Sequence, residues 1–373
     1  MRKGWEYKKL GDCTQILDSQ RKPVTKRDRK SGIYPYYGAT GIQDYVDKYI
    51  FDGRYVLVGE DGAKWSSFTQ SAFIIEGKTW VNNHAHVLRT NDFLVDSFLV
   101  YFLNYSDLDS YISGAIIRKL TQASLRNIDI PLPPKSTQLA IVSELDKINE
   151  LIRLKKEQLK DFDNLAQSLF YEMFGDPVEN EMGWEVKKLG DVCTDIKYGT
   201  SKPASENGRY TYLRMCNLTT DGFLDLSNTK QIDIPDDEIE KCIVRYGDIL
   251  FNRTNSIELV GKTCLFDKKE PMVIAGYIIR VRLNDTLLPV VLSRMFNLAS
   301  IKKLLRSMAK GAVNQANINS KELASIRIPL PPLSLQRLFA QRIEQIEREK
   351  SEVQKSIQDL ETLLASRIQY WFE

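Results

Sequence analysis

The apolar positions of two long segments, 136–174 and 334–373, alternate at spacings of four and three residues. In the first segment the predicted seam is formed by Ile141, Leu145, Ile148, Ile152, Leu159 and Phe162. In the second segment it is formed by Phe339, Ile343, Ile346, Ile357, Leu360 and Leu364. This 4-3 alternation is typical of coiled-coil helices. The pattern therefore predicts two long helices that bury their seams against each other in antiparallel orientation.

A proline-rich phrase precedes each predicted helix, NIDIPLPP at 127–134 and SIRIPLPP at 325–332. Proline fixes φ, lacks an N–H donor and holds the preceding residue out of the helical region. Each phrase should therefore end a strand and delay the helix that follows it. Gly175 and Pro177 are typical of a helix C-terminus, so the first helix should end near residue 176.

The chain repeats one plan twice. GWEYKKLGD at 4–12 returns as GWEVKKLGD at 183–191, and the pattern LxxIxIPLPPxSxQ at 125–138 returns at 323–336. The segments between these matching ends scarcely resemble each other, apart from Lys22-Pro23 and Lys202-Pro203. They consist of short apolar or alternating runs separated by Gly, Asp and Asn turns, which predicts short strands with a few helices.

These patterns predict an α/β fold with an internal pseudo-two-fold repeat. Two globular domains are expected at 1–135 and 177–333, with a central spacer helix at 136–176 and a C-terminal spacer helix at 334–373. Helices of about 39 residues would each span about 58 Å. Two different domains held apart by such a rod suit duplex DNA, a long and roughly two-fold symmetric ligand, and the two half-sites should differ because the domains differ.

The composition sets few further limits, with 373 residues, 43% hydrophobic content and a net charge of +3. This small positive excess permits a polyanionic partner without requiring one. The sequence has neither a signal-peptide core at its start nor an apolar run long enough to span a membrane, which favours a cytoplasmic protein. Its five cysteines are odd in number and widely spaced, with no CxxC pair to suggest zinc or a redox pair.

The order and duplication of these phrases resemble the specificity (S) subunit of Type I restriction-modification enzymes. The residues that carry the resemblance are the two GWE-x-KKLGD entries, the two IPLPP exits followed by Gln138 and Gln336, and the phrases PYYGATGIQDY (35–45) and GDILFNRTNS (247–256). The resemblance covers essentially the whole chain. It implies a non-catalytic DNA-recognition subunit in which two target-recognition domains recognise a bipartite asymmetric sequence.

The same resemblance implies which partners and cofactors to expect. Two methyltransferase (M) subunits would dock on this chain, and restriction-translocase (R) subunits would join through them. S-adenosylmethionine is then expected on the methyltransferase partner, and ATP and Mg on the restriction partner, with no cofactor in this chain.

Candidate DNA contacts in the second domain are the polar residues at the end of an apolar strand, together with a few residues elsewhere in the domain. They are Asn252, Arg253, Thr254, Asn255, Ser256, Lys202, Asn314 and Gln315. Arginine is the usual bidentate partner of guanine, and asparagine that of adenine. An Asn/Ser-rich turn that merely caps the strand is an equally good interpretation of the first five.

Candidate contacts in the first domain are Arg21, Lys22, Tyr37, Thr40, Lys64, Trp65, Arg118 and Lys119. The basic segment 18–30 could follow the phosphate backbone, and the Gly-rich phrases offer aromatic and cationic groups for groove contact. A solvated loop and aromatics packed in a Gly-rich loop are the structural alternatives.

Catalytic and metal chemistry find little support in the sequence. His84 and His86 would share one face of a strand, but no third and fourth ligands are evident, so no metal site is predicted. Gly261-Lys262-Thr263 lacks the first glycine and the helix of a phosphate-binding loop. Two alternatives to the DNA-reading subunit stay open, a self-contained enzyme that acts on DNA and a coiled-coil adaptor without sequence-specific DNA binding.

Overall fold

The computed structural model describes residues 5–114, 116–312 and 315–373, and the chain divides into two compact units. Unit 1 combines Met1–Glu157 with Gln354–Glu373, and unit 2 is Gln158–Val353. Each boundary falls inside a long helix, so both long helices contribute one part to each unit. The mixed helix and sheet content and the pair of long antiparallel helices confirm the predicted fold class.

The strands of unit 1 are β1 (Glu6–Lys9), β2 (Thr14–Ile16), β3 (Ser31–Gly38), β4 (Gly41–Val46), β5 (Phe51–Gly59), β6 (Ala72–Val81), β7 (Ala85–Thr90), β8 (Ile112–Ser113), β9 (Lys119–Leu120) and β10 (Asp129–Leu132). Its helices are α1 (Leu10–Cys13), α2 (Asp96–Tyr105), α3 (Gln122–Arg126) and the first part of α4 (Lys135–Phe174). One sheet has the strand order β2-β7-β5-β6-β3-β4. Its pairs are antiparallel except that β3 runs parallel to β6.

Strand β5 lies between β6 and β7, and burial on both faces suits its apolar run from Tyr55 to Val58. It ends at Gly59, which is paired with Ala85 at the start of β7. The residues just after β5 and just before β7 therefore lie together at one edge of the sheet, and this edge positions the candidate site of unit 1.

The strands of unit 2 are β11 (Glu185–Lys188), β12 (Cys193–Tyr198), β13 (Tyr210–Leu213), β14 (Lys230–Ile232), β15 (Ile243–Val244), β16 (Ile249–Asn252), β17 (Thr254–Asn255), β18 (Thr263–Leu265), β19 (Met272–Ile274), β20 (Ile278–Leu283), β21 (Lys310–Ala312), β22 (Gln315–Asn317) and β23 (Arg327–Leu330). Its helices are α5 (Ile239–Cys242), α6 (Pro289–Phe296), α7 (Ala299–Met308), α8 (Ser320–Ala324) and the first part of α9 (Leu333–Phe372), with the last part of α4.

Unit 2 repeats the plan of unit 1 with its strands divided among the sheets β12-β20-β16-β18, β14-β13-β19-β15 and β17-β22-β21. Strand β13 runs parallel to β19, as β3 does to β6. Strand β16 ends at Asn252 opposite Ile278, the first residue of β20, as β5 ends opposite the first residue of β7. The sequence-divergent middles thus share one strand arrangement.

The repeated entry and exit phrases pair with each other in both units. In unit 1, β1 pairs antiparallel with β10 and sets Tyr7 opposite Pro131. In unit 2, β11 pairs antiparallel with β23 and sets Val186 opposite Pro329, the same register. Each PLPP phrase therefore ends a strand that the matching entry phrase closes, immediately before a long helix begins.

Helices α4 and α9 are each 40 residues long and pack antiparallel within unit 1. Glu144 of α4 accepts hydrogen bonds from Arg367 of α9, and Lys156 pairs with Glu361 at 2.8 Å. The seam residues in this unit are buried at Ile141, Leu145, Ile148, Ile152 and Ile357 and partly buried at Leu360 and Leu364.

In unit 2 the last part of α4 packs antiparallel against the first part of α9. The rings of Phe170, Phe174 and Phe339 have centres between 4.9 and 5.5 Å apart in edge-to-face contacts. The seam residues in this unit are buried at Phe339, Ile343 and Ile346 and partly buried at Leu159 and Phe162. Across the described residues, no helix combines the length and the apolar character that a membrane crossing requires.

Candidate nucleic-acid interface

In unit 1 the residue after β5 is Glu60, and we call its place the strand-end position. Its N–H donates to the carbonyl of His84 at 2.8 Å, and its own carbonyl accepts from the N–H of Leu120 at 2.8 Å. Its carboxylate pairs with Arg21 at 2.5 Å and with Lys119 at 2.6 Å. Burial raises the pKa of Glu60, but the hydrogen bonds from Lys119 and Arg21 leave it below its ordinary value. Arg21 and Lys119, both predicted DNA contacts, are therefore paired with Glu60 within the fold.

Glu60 also belongs to a cluster of side chains whose potential ligand atoms are close enough together to hold a metal ion. Among the described residues, Asp18, Glu60 and His86 bring potential ligand atoms within 4.8 Å of one another. However, Nδ1 of His86 lies 2.6 Å from Asp18, and Nε2 lies 2.7 Å from the carbonyl of Leu120, so both ring nitrogens are engaged. The expectation that His84 shares a strand face with His86 is wrong, because His84 lies in the turn before β7.

Burial raises the pKa of Asp18. The hydrogen bond from His86 and the charge of the His86 ring lower it by more, so the pKa of Asp18 lies below its ordinary value. Arg21 pairs with Asp18 at 3.4 Å as well as with Glu60. The cluster is thus a buried network in which protein cations already pair with the carboxylates of Asp18 and Glu60.

The basic segment 18–30 is held against unit 1 by an aromatic residue. The hydroxyl of the buried Tyr36 accepts from the N–H of Val24 at 3.1 Å, and Arg29 lies over the Tyr36 ring at 4.2 Å. Lys22, Lys26, Arg27 and Lys30 remain exposed. The segment therefore presents several cations on a supported backbone, which suits contact with a phosphate chain.

A cavity of 380 Å³ beside this segment is lined in part by polar residues that were not predicted from the sequence. The side-chain oxygen of Asn82 accepts from the N–H of His84 at 2.7 Å, and its amide donates to Gln43 at 3.1 Å. A Cβ on Gly38 would lie 2.2 Å from the Gln43 amide nitrogen, so this glycine leaves room for it. The sequence phrase PYYGATGIQDY contains both Gly38 and Gln43, so it could have indicated this part of the cavity.

The Gly-rich segment after Glu60 corrects one predicted contact. Trp65 is only 4% exposed and donates from its indole to the carbonyl of Gly59 at 3.1 Å, so it is a core residue and not a groove contact. Its neighbour Lys64 is exposed. Lys64 and Arg118 line one cavity of 520 Å³, and Arg118 also pairs with Asp109 at 2.7 Å.

The other two candidates of unit 1 lie at the β3–β4 hairpin. Tyr37 is half-buried and packs against Phe73 with ring centres 5.9 Å apart, and burial raises the pKa of its hydroxyl. Thr40 is exposed in the turn between the strands. Of these two side chains, only that of Thr40 is fully presented at the surface.

In unit 2 the strand-end position, after β16, is occupied by Arg253. Its N–H donates to the carbonyl of Tyr277 at 3.0 Å, and its carbonyl accepts from the N–H of Ile318 at 2.9 Å. These two bonds repeat those that Glu60 makes in unit 1, so the two positions are structurally equivalent. The guanidinium carbon lies 4.7 Å from the centre of the Tyr198 ring. Tyr198 and Tyr277 were not identified from the sequence.

The residues on either side of Arg253 correct two further predictions. Asn252 is fully buried and Thr254 is 7% exposed, because the strand pairs bring both side chains into the fold. The Thr254 hydroxyl donates to the side-chain oxygen of Asn317 at 2.8 Å. Asn255 and Ser256 are half-buried, and the Asn255 side chain accepts from the N–H of Ser256 at 2.9 Å. Asn252 and Thr254 are thus structural residues and are not free to contact DNA.

The remaining candidates of unit 2 lie apart in the sequence. Lys202 pairs with Glu238 at 2.8 Å. Asn314 lies outside the described residues, and Gln315 is the first residue of β22, opposite Ala312. The structure therefore leaves Arg253 as the central candidate of this unit.

Comparison with known proteins gives a consistent family assignment. A family model described as type I restriction modification DNA specificity domain matches residues 2–161 and 181–362. The chain is 29% identical to a putative type I restriction enzyme specificity subunit of Haemophilus influenzae, S.HindORF215P, over 92% of this chain and 87% of that protein. It is 24% identical to the EcoKI specificity subunit of Escherichia coli K12 over 73% of this chain and 62% of that protein.

Solved structures show the same fold. The S subunit of a type I restriction-modification system from M. genitalium matches with a TM-score of 0.56 and 14% identity, over 99% of this chain and 96% of that chain. A structure from work on complex assembly and conformational transition of the type I R-M system matches with a TM-score of 0.61 and 20% identity, over 100% and 98%.

Proposed function

The chain belongs to the family of type I restriction-modification DNA specificity domains, and we propose that it recognises a bipartite DNA target with one half-site for each unit. It is the DNA-recognition subunit of a type I restriction-modification complex and not a catalytic subunit. The division of the target into two half-sites and their assignment to the two units are the steps that we propose.

One backbone frame that carries different side chains at equivalent positions is the observation that supports this proposal. The entry and exit strands pair in the same register in both units. At the equivalent strand-end positions, however, unit 1 has the carboxylate of Glu60 and unit 2 has the guanidinium of Arg253. Two identical half-sites would require two identical reading surfaces, so the target should be asymmetric.

Exposed cations supply the component of binding that does not depend on sequence. Lys22, Lys26 and Arg27 are exposed on the supported basic segment of unit 1. Lysine and arginine at a protein surface neutralise DNA phosphates and release counterions, which positions the protein without specifying a base. The side chains at the sheet edges would then read the bases.

We further propose that two methyltransferase subunits bind this chain and that restriction-translocase subunits join through them. S-adenosylmethionine would be held by the methyltransferase, and ATP and Mg by the restriction subunit. A coiled-coil adaptor that does not bind DNA would account for the long helices. It would not account for two folded units that share a frame and differ at the equivalent strand-end positions.

The proposal is tested by co-expressing the chain with the methyltransferase subunit of its own system in a host without other methylation and mapping the methylated bases genome-wide. We expect one split, asymmetric motif with a fixed gap between its halves. The methyltransferase expressed without this chain is the control and should give no such motif. Methylation that is unchanged by omitting the chain, or no motif with a competent partner, would refute the proposal.

A further inference from the structure

Among the residues that the structure describes, the guanidinium of Arg253 has no hydrogen-bond acceptor. Its Nε is buried without a hydrogen-bond partner, and among the residues that the structure describes it forms no ion pair. The equivalent Glu60 in unit 1 is instead paired with both Arg21 and Lys119. A buried donor without a partner lowers stability. A ligand cannot reach the buried Nε, but the two terminal nitrogens are not buried and make no hydrogen bond to the described residues, so they are available to an external acceptor.

The local structure holds Arg253 in one place. Its backbone is fixed on both sides by the bonds to Tyr277 and Ile318, and its guanidinium stacks on the ring of Tyr198 at 4.7 Å. The Tyr198 hydroxyl in turn accepts from the N–H of Ser320 at 2.8 Å, which fixes the ring. A guanidinium is itself planar, so holding it over a ring restricts the directions in which its N–H groups can donate.

A planar pair of donors fits a planar pair of acceptors better than it fits an isolated charge. In the major groove, O6 and N7 of guanine form such a pair, and arginine is their commonest partner. A phosphate can also accept two bonds from a guanidinium, but a phosphate contact carries no base preference, so a change in the recognised motif distinguishes the two acceptors. Asn252 and Thr254 are buried, so of these three consecutive residues Arg253 is the one that can reach outward.

From these contacts we propose that Arg253 specifies a guanine in the half-site read by unit 2 and that Tyr198 is its positioning residue. This inference rests on the proposed DNA-recognition function. It extends that function by assigning one base of the target to one side chain. It also implies that unit 1 reads its half-site differently, because Glu60 leaves no free cation at the equivalent position.

The test compares methylation motifs of the full chain and its variants in complex with the methyltransferase subunit. Arg253→Lys keeps the charge but loses the planar pair of donors, so one G·C position of one half-site should become degenerate. Discrimination at that position should fall about 10- to 100-fold, and the other half-site should be unchanged. Tyr198→Leu should relax the same position, whereas Tyr198→Phe, which keeps the ring, should retain most of the preference.

Arg209→Ala is the matched control, because Arg209 is exposed in unit 2, pairs with Asp233 and Asp236, and carries the same charge. It should leave every position of the motif unchanged. If Arg253→Lys retains full preference at every position, or if neither half-site contains a G·C pair, the guanine assignment is wrong while the proposed function stands. If the unaltered chain yields no motif with a competent partner, the proposed function itself fails.

Discussion

The side-chain carbonyl of Gln138 accepts a hydrogen bond of 2.9 Å from the N–H of Val95, the residue before α2. Its amide group donates to the carbonyls of Phe93 and Pro133, each at 2.9 Å. The side chain is fully buried. Gln138 therefore ties the beginning of α4 to the beginning of α2 and satisfies backbone groups that would otherwise have no partner.

Gln336 makes the same three bonds in unit 2. It accepts from the N–H of Leu288 at 2.8 Å and donates to the carbonyls of Thr286 and Pro331 at 3.0 and 2.8 Å. Leu288 precedes α6, the counterpart of α2. The glutamine that follows both PLPP phrases is thus a repeated structural clamp, which explains why it returns in two otherwise divergent domains.

We expect Gln138→Leu to lower the local free energy of opening around α2 by about 3 kcal/mol, because three buried polar groups lose their partner. Hydrogen exchange measured by mass spectrometry would localise the effect to unit 1. Gln358→Leu is the control, because Gln358 is exposed on α9, and it should have little effect. Equal protection in Gln138→Leu and the unaltered chain would contradict the clamp.

The frame of the fold could be predicted because its signals are local. The heptad spacing of Ile141, Leu145 and Ile148 follows from helix geometry alone, and the PLPP phrase stops a strand for reasons of proline chemistry. The pairing of each entry phrase with its exit phrase was not predicted, because the residues that pair, such as Tyr7 and Pro131, are far apart in the sequence. Long-range pairing leaves no periodic signal within either segment.

The candidate site was harder to predict because exposure depends on tertiary packing. Trp65 and Asn252 are polar-tipped residues beside turns, yet both are enclosed by the fold. The echo of Lys22 in Lys202 was also misleading. The backbone N–H of Lys22 donates to the carbonyl of Val81. In unit 2 the corresponding bond, to the carbonyl of Ile274, comes from the backbone N–H of Thr200, two residues before Lys202. The two Lys-Pro pairs thus occupy positions in the two units that are not structurally equivalent.

The equivalent strand-end positions should differ in their importance for stability. Glu60→Gln removes the buried carboxylate that pairs with Lys119 and, together with Asp18, with Arg21, so we expect the free energy of unfolding to fall by about 3 kcal/mol. Arg253→Gln loses only the stacking contact with Tyr198, so the loss should be below about 1 kcal/mol. Hydrogen exchange of each unit measures both values, and a larger loss for Arg253→Gln would contradict the assignment.

The exposed cation Lys26 should contribute to affinity without contributing to specificity. We expect Lys26→Glu to weaken DNA binding equally for all sequences and to reduce the slope of log affinity against log salt by about 1. The methylation motif should not change. Lys303→Glu, an exposed lysine on α7, is the matched charge reversal and should leave the slope unaltered. Titration of labelled duplexes at several salt concentrations would decide, and equal slopes for Lys26→Glu and the unaltered chain would remove this segment from the interface.

Lys350 occupies a buried seam position of α9 in unit 2, where the other repeat has Ile152. Its ammonium lies 2.5 Å from Asp163 of α4 and 4.5 Å from the centre of the Phe223 ring. Lys350→Ile should leave the free energy of unfolding unchanged or raise it by about 1 kcal/mol, whereas Asp163→Ala should lower it by about 1 kcal/mol, because it leaves the buried cation without its nearest anion. Urea unfolding of the two variants and the unaltered chain gives the order of stability, and a Lys350→Ile variant less stable than the unaltered chain would show that the ion pair itself stabilises the seam.

Glu144 links α4 to α9 in unit 1 and should make this contact sensitive to acid. It accepts from Arg367 and, at 3.0 Å, from the indole of Trp371. The hydrogen bond from Arg367 lowers the pKa of Glu144 below its ordinary value, although partial burial acts in the opposite direction. A carboxyl group whose folded pKa is depressed stabilises the fold above its unfolded pKa, near about 4.3, and loses that contribution as the pH falls through the folded pKa.

Glu144→Gln should therefore be less stable than the unaltered chain at pH 7, by about 1 kcal/mol, and the difference should shrink as the pH is lowered below about 4. Urea unfolding at a series of pH values, followed by hydrogen exchange in unit 1, measures this difference directly. Glu361→Gln is the matched control on the same helix pair, because the Glu361–Lys156 pair is about half exposed on both sides and should contribute little at any pH. A constant difference between Glu144→Gln and the unaltered chain across the acid range would show that the charge of Glu144 does not stabilise this contact.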